Sequence, residues 1–211
     1  MGIYEKYCND RDINKILDTV NDINKGIITG CHGRYHVMFV VDMVEHILGS
    51  LSYDARTVAL GKIAALMHDI GNVAGRRNHA QKSAALAAVF LGDSHDLSLE
   101  EKNVIVQAVA DHSEGENISS AVGAALLIAD KVDLSCKRIL PVDNIDDWHK
   151  NLLEIRDVEV RVAGDEIAVN YIATDAFLAD ALIGKYTEVP TKAARYLGLA
   201  CQILVNGRHA V

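Results

Sequence analysis

The sequence predicts a mainly α fold: a helical bundle followed by a C-terminal extension that contains a short β-hairpin and two helices. Only two prolines occur in the 211 residues, Pro141 and Pro190, so nothing in the first 140 residues forces a helix to break. Apolar residues recur at helical spacing before Pro141, whereas two short runs after it alternate between apolar and polar residues.

Helical periodicity and capping residues define six helices in the bundle. Asp54 and Asn78 each precede an apolar run and are predicted N-caps, and Ser98 with Glu101 forms a capping-box pattern. The run that begins at Tyr35 is apolar on nearly every side, which predicts a central position. The predicted spans are 12–25, 35–51, 54–68, 78–91, 98–112 and 119–138.

The extension has a different pattern of apolar and polar residues from the bundle. Residues 158–162 and 167–171 alternate around Gly164 and Asp165, which predicts a hairpin over about 158–171. Helices are predicted from Asp175 to Tyr186 and from Thr191 to about Val205. We therefore divide the chain into a bundle, 1–140, and an extension, 141–211, packed on it.

Composition excludes several classes of function. The formal charge is −8 and the pI about 5.5, which disfavours long nucleic acid and anionic membranes because both need clustered Lys and Arg. The four cysteines are far apart in the sequence and form no Cys-x-x-Cys pair, as expected of free thiols. The N-terminus lacks an apolar signal core, and no apolar run approaches the ~20 residues of a membrane span, so we expect a cytoplasmic protein.

Four side chains at three places in the bundle predict a metal site. His36 and Asp130 lie within apolar helical runs, where a polar group needs a partner, and His68-Asp69 ends another such run. Adjacent residues on a regular helix point about 100° apart, but Gly71 favours a helix end where both can turn to one ion. A lone histidine on an apolar helix is more often a hydrogen-bonded core residue, but a shared metal would supply the partner that His36 and Asp130 need.

The order His36, His68-Asp69, Asp130 resembles that of the HD-domain metal-dependent phosphohydrolases, over roughly residues 30 to 138. The resemblance implies a second ion held by His79 and His112, with Asp69 bridging both ions. Site one would then be His36, His68, Asp69 and Asp130, and site two Asp69, His79 and His112. The cofactors implied are divalent ions, two in number, drawn from Fe, Mn, Co, Ni, Zn or Mg.

The alternative for His79 is an exposed helix-start residue, and for His112 a partner of the helix dipole. The second His-Asp dipeptide, His95-Asp96, lies in a polar loop and is assigned no chemistry. His32 lies four residues before His36 and reaches the same face only if the helix extends back through Gly33.

Substrate anions need cations near the ions. Lys82 and Ser83 lie three and four residues after His79, on its helix face, so we expect Lys82, with Asp69, to be catalytic. For any single basic residue a solvated surface charge is the commoner outcome, but several are expected to line the pocket. The candidate substrate-binding residues are Arg76, Arg77, Lys82, Ser83, Lys131, Lys137 and Arg138.

Three branches of the superfamily were compared. The stretch after His112 lacks the Gly-Tyr-Pro segment of the cyclic-dinucleotide phosphodiesterases, and the stretch after Asp69 lacks the Glu-Asp pair of the alarmone hydrolases. The pattern is most similar to the dinuclear bacterial symmetrical diadenosine tetraphosphate hydrolases. Asn72 replaces a lysine frequent in that branch, and the extension is not part of it, so the substrate stays open.

The function expected is hydrolysis of a phosphoester or phosphoanhydride in a small, nucleotide-like phosphorylated substrate, by hydroxide formed from metal-bound water. The alternative is a metal-binding sensor or regulatory module with an HD fold and no turnover. Retention of every expected ligand favours the enzyme, because a regulatory module has no need of them all. We expect no long nucleic acid and no membrane as partners; a homo-oligomer is compatible with the sequence.

Overall fold

The computed structural model describes residues 2–24, 32–113, 115, 117–139, 145–182 and 184–210. Within these ranges the chain is mainly helical, with a small four-stranded sheet near its C-terminus, which confirms the predicted fold class. The helices are α1 (Ile3–Cys8), α2 (Arg11–Asn24), α3 (Arg34–Ser50), α4 (Ala55–Met67), α5 (His79–Gly92), α6 (Leu99–Asp111), α7 (Ala121–Val132), α8 (Asp147–Leu152) and α9 (Lys185–Tyr196).

The predicted bundle helices correspond to α2–α7, and their starts follow local capping chemistry. The Asp54 side chain accepts from the backbone N–H groups of Arg56 and Thr57, and Ser98 forms a complete capping box with Glu101. Asn78 differs from the prediction: it precedes α5 in the left-handed conformation, without a cap hydrogen bond from its side chain.

The core lies around α3, α4 and α7. Helix α7 is buried from Val122 to Val132, and α3 packs against both α4 and α7. The apolar side chains of α3 that enter this core are Val37, Val40, Val41, Val44, Ile47 and Leu48. Burying them against two neighbours holds the polar ends of these helices in a fixed arrangement.

Helix α7 ends six residues earlier than the sequence predicted. The backbone leaves the helical conformation at Asp133 (φ −75°, ψ 81°), and a 3₁₀ turn follows at Cys136–Arg138. The carboxylate of Asp133 is hydrogen-bonded to His36, a tertiary contact that local periodicity does not reveal.

The extension contains the predicted hairpin. Strands β1 (Ile155–Ala163) and β2 (Glu166–Ala173) pair antiparallel, and Gly164 takes a positive φ of 61° in the turn between them. The division at residues 140 and 141 lies outside the described residues and stays a prediction. His46, on α3, donates through Nε2 to the backbone oxygen of Val160 at 2.9 Å, linking the hairpin to the bundle.

The two helices predicted after the hairpin were placed wrongly. Residues 179–182 form only a 3₁₀ turn, α9 spans Lys185–Tyr196, and the segment predicted to end the last helix is strand β3 (Ala200–Val205). Gly198, with φ 78°, terminates α9, and β3 then pairs in parallel with β2. A short strand β4 (Arg208–His209) completes the order β1-β2-β3-β4.

Across the described ranges, every helix is too short or too polar to traverse a lipid bilayer.

Candidate metal centre

Six side chains that the sequence singled out meet at the ends of five helices. They are brought together by the packing of α3–α7, although up to 94 positions separate them in the chain. Five are buried and His79 is partly buried. The residues are His36 in the first turn of α3, His68 and Asp69 just after α4, His79 at the start of α5, His112 just after α6 and Asp130 near the end of α7.

Four ligand atoms form what we call the first donor group: Nε2 of His36, Nε2 of His68, Oδ2 of Asp69 and Oδ1 of Asp130. His36 Nε2 lies 3.2 Å from His68 Nε2, 3.6 Å from Asp69 Oδ2 and 3.2 Å from Asp130 Oδ1. His68 Nε2 lies 3.4 Å from Asp69 Oδ2 and 3.8 Å from Asp130 Oδ1. Two atoms each about 2.1 Å from one ion lie between roughly 3.0 Å and 4.2 Å apart, depending on the angle between them at the ion, so this spacing fits one divalent ion.

Three atoms form the second donor group: Oδ1 of Asp69, Nε2 of His79 and Nε2 of His112. The two imidazole nitrogens are 3.2 Å apart, and they lie 3.5 Å and 3.7 Å from the Asp69 oxygen. The spacing again fits a common ion. Asp69 is the residue shared by the two groups, and each of its oxygens faces a different one.

The hydrogen bonds behind the rings fix which nitrogen faces the cluster. Nδ1 of His68 donates to the oxygen of Ala65 at 2.7 Å, and Nδ1 of His112 donates to that of Val109 at 2.7 Å. A carbonyl oxygen only accepts, so the proton is on Nδ1 and the lone pair of Nε2 points into the cluster. His79 makes the same kind of bond at 3.2 Å.

The cluster therefore concentrates acceptors. Imidazole lone pairs lie 3.2 Å apart within each group, with the oxygens of two buried carboxylates beside them. Such atoms repel one another unless a cation lies between them. Hydrogen bonding of the outer nitrogen to a backbone oxygen is the usual arrangement behind a metal-bound histidine. The residues present thus fit a divalent cation.

Electrostatics keep both aspartates ionised. Burial opposes ionisation of Asp69, but the adjacent His32 and His68 hold its pKa well below its usual range. Burial likewise opposes ionisation of Asp130, whereas the ammonium of Lys131 and the neighbouring His36 and His68 hold the pKa of that carboxyl well below its usual range. Lys131 Nζ is 2.5 Å from Asp130 Oδ2, which leaves Oδ1 directed at the first donor group.

His32 also enters the site. It lies in the segment before α3, is 9% exposed, and donates through Nδ1 to Asp69 Oδ2 at 2.6 Å. Burial lowers the pKa of His32 to about 3, although the charge of Asp69 acts in the opposite direction. Its Nε2 then accepts from Arg138, whose Nη2 lies 3.4 Å away. The one sequence signal for His32 was its four-residue offset from His36.

The candidate substrate-binding residues fall into two sets. Arg76, Lys131 and Arg138 line a cavity beside Asp69, His79 and Asp130. The structure places the others elsewhere among the described residues, and their substrate roles stay predictions. Lys82 Nζ donates to the oxygens of Ala74 and Gly75, Ser83 Oγ accepts from the N–H of Gly71, Lys137 pairs with Asp157, and Arg77 is exposed.

The second His-Asp dipeptide lies away from this cluster. Asp96 is exposed and pairs with Lys6 at 2.8 Å. It precedes the Ser98 cap of α6, as the sequence predicted for a loop position.

Comparison with known proteins adds one distant likeness. No family model and no curated protein matches the chain. Among solved structures, the crystal structure of a predicted HD superfamily hydrolase from an uncultured Thermotogales bacterium aligns with 64% of this chain and 75% of its own. The two are 22% identical, with a TM-score of 0.49. A likeness this distant carries no weight for activity, whereas the side chains themselves define a helical protein with a buried His/Asp cluster able to hold divalent metal ions.

Proposed function

We propose that the protein is a metal-dependent phosphohydrolase of the HD type, with two divalent ions bound by the two donor groups. The observation that carries this is the placement of Asp69, whose Oδ2 lies by His36 and His68 while Oδ1 lies by His79 and His112. A carboxylate with one oxygen towards each set of imidazoles can be a ligand of two neighbouring ions, as in a two-metal hydrolytic site.

Bound ions would lower the pKa of water and neutralise charge on phosphate oxygens. The protein's own part is to orient ligands and to attract the anion. Lys131 holds Asp130 in place, and Arg138 is fixed by donating to the oxygen of Asp133 at 2.8 Å. With Arg76 these cations line the cavity beside the donor groups, so a phosphate entering it meets three positive side chains.

The substrate we propose is a small phosphoester or phosphoanhydride of nucleotide-like character. Hydrolysis adds water to phosphorus and breaks one P–O bond, and the leaving oxygen takes a proton. Anion-binding groups that surround the phosphate lower the barrier by stabilising charge on its oxygens as that bond breaks.

Metal analysis with a matched pair of variants tests the proposal. Wild-type protein saturated with Mn, Fe, Co, Ni, Zn or Mg should hold close to two ions per chain and hydrolyse at least one member of a phosphoester and nucleotide panel. Asp69→Asn should lose most metal and turnover, whereas Asp96→Asn, the same change in the exposed dipeptide, should retain both. Absence of any titratable metal site would refute the proposal. Two bound ions without turnover across the panel would favour the sensor alternative.

A further inference from the structure

The cavity beside the donor groups is lined by side chains of two chemical kinds. Its volume is about 260 Å³. The cations Arg76, Lys131 and Arg138 lie in the lining together with Asp69, Asp130 and several other polar residues. The apolar and aromatic part of the lining comes from the end of the bundle and from the extension: Leu134, Ile139, Trp148, Leu152 and Tyr186.

Two aromatic rings, which we call the aromatic wall, belong to the apolar part of the lining. Trp148 and Tyr186 stack with ring centroids 5.2 Å apart and an interplanar angle of 18°. They come from different helices, α8 and α9, so tertiary packing assembles the surface. Flat aromatic surfaces favour flat ligands, which contact them over a large area at little cost in conformational entropy.

The position of Trp148 is fixed by hydrogen bonds around α8. Asp146 caps the helix by accepting from the N–H of His149 at 2.9 Å. Asn151 then donates to the oxygen of Leu178 at 3.0 Å and accepts from the N–H of the same residue at 2.8 Å. These bonds hold the backbone that carries Trp148, and the ring itself packs on Tyr186, so less order has to be created when a ligand binds.

Tyr186 lines the same cavity as Arg138 and Lys131. Burial raises the pKa of its phenol, and the charges of these two cations act in the opposite direction. A ligand that contacts the aromatic wall therefore has cations for its phosphate within the same cavity.

The volume limits what fits. Pockets for small ligands usually enclose about 300–1,000 Å³, so about 260 Å³ suits one phosphate and one small ring system. A dinucleoside polyphosphate would leave much of its length outside the cavity. We infer that the site selects phosphate monoesters whose alcohol carries a single flat apolar ring, with Trp148 and Tyr186 as the specificity-determining residues. This inference rests on the proposed phosphohydrolase function.

The test compares benzyl phosphate with ethyl phosphate on the metal-loaded protein. Both have simple alcohols as leaving groups, so a difference in kcat/KM reports on the wall more than on intrinsic reactivity. The wild type should prefer benzyl phosphate by about tenfold or more, and cyclohexylmethyl phosphate should fall between the two. Trp148→Leu and Tyr186→Leu should each reduce the preference several-fold, because kcat/KM should fall more for benzyl phosphate than for ethyl phosphate, and metal content should stay the same.

Tyr196→Leu is the matched control, because Tyr196 is an exposed tyrosine at the end of the same helix as Tyr186. It should keep the wild-type preference. Equal activity of the wild type on benzyl and ethyl phosphate, or loss of preference in Tyr196→Leu as large as in Tyr186→Leu, would overturn the inference.

A binding measurement separates failure of the inference from failure of the proposed function. Trp148 is the sole tryptophan of the chain, so its fluorescence reports directly on the wall. Benzyl phosphate should quench it in wild type and in Tyr196→Leu, and more weakly in Tyr186→Leu, whether or not hydrolysis occurs. Unchanged fluorescence at saturating benzyl phosphate would refute the wall. Quenching without hydrolysis would retain the wall and count against the hydrolase.

Discussion

His36 is held from behind by Asp133: its Nδ1 donates a hydrogen bond of 2.7 Å to Oδ2 of that carboxylate. Both side chains are fully buried, and 97 positions separate them in the chain. The bond leaves Nε2 of His36 directed at the first donor group. Asp133 is thus a positioning residue, which acts on a metal through the histidine it orients.

Asp133→Asn tests this role. The amide keeps the shape and one acceptor oxygen but loses the charge that makes the imidazole a better ligand. We expect affinity for the ion of the first donor group to fall roughly 10–100-fold, with helical content retained. Isothermal titration calorimetry with Mn²⁺ measures this affinity. Asp157→Asn, which changes an exposed carboxylate paired with Lys137, should bind metal as wild type does. Equal affinities of Asp133→Asn and wild type would contradict the assignment.

Basic residues near the site should affect KM only if their charged groups lie in the cavity. Arg138 lines the cavity, so Arg138→Ala should raise KM for phosphoesters about tenfold or more while metal content stays the same. The ammonium of Lys82 donates hydrogen bonds to the backbone oxygens of Ala74 and Gly75. Lys82→Ala should therefore affect chiefly the stability of the segment that contains these two residues. Steady-state kinetics and elemental analysis of both variants distinguish an effect on substrate binding from an effect on the local structure. A larger KM effect in Lys82→Ala would instead support the sequence prediction that Lys82 binds substrate.

Acid should weaken the contact between α4 and α6. Arg56 donates to both carboxylate oxygens of Glu101, at 2.6 Å and 2.8 Å, and with the capping bond to Ser98 this lowers the pKa of Glu101 to about 2. The folded pKa lies below the unfolded value of about 4.5, so the stabilisation is complete above about pH 4.5 and is lost as the pH falls towards 2.

Glu101→Gln should therefore destabilise the protein at pH 7 by about 1 kcal/mol, a small value because the pair is partly exposed. Near pH 2.5 the variant and the wild type should differ much less. Denaturant unfolding at both pH values measures the difference. Glu188→Gln, an exposed carboxylate on α9, serves as the control. A destabilisation that is independent of pH would mean that packing, and not charge, is what Glu101 contributes.

Local sequence patterns were sufficient for much of the fold and for the choice of cluster residues. The apolar period and the caps at Asp54 and Ser98 predicted the bundle helices, because these signals lie within a few residues of each helix end. His36, His68, Asp69 and Asp130 stood out since polar residues in or at the end of apolar helical runs need partners. His79 and His112 were chosen because the resemblance to the HD-domain phosphohydrolases implies a second ion. The structure brings these six together.

What the sequence missed depends on long-range packing. His32 precedes its helix, so no periodic pattern places its ring on Asp69. Residues 200–205 are apolar enough to continue a helix, and their pairing with β2 decides that they form a strand. Trp148 and Tyr186 line the cavity beside the donor groups because the extension packs on the bundle, with α9 against α7.

Gly71, two residues after Asp69, lies directly against the backbone of α5. Its N–H donates to Ser83 Oγ at 2.8 Å, and a Cβ here would strike backbone atoms of His79, Lys82 and Ser83. Gly71→Ala should therefore push α5 outwards, destabilise the protein by about 1–3 kcal/mol and withdraw His79 from the second donor group. Thermal unfolding and metal stoichiometry measure the two effects, and we expect one ion per chain to be lost first.

Gly49→Ala is the matched control. Gly49 lies in α3, and a Cβ on it would meet nothing within 4 Å among the described residues. Alanine is the better helix former, so this variant should be as stable as wild type or up to about 1 kcal/mol more stable, with two ions retained. If Gly71→Ala also kept both ions and full stability, α5 would have room to move without carrying His79 away. The close approach at Gly71 would then not be what fixes the second donor group.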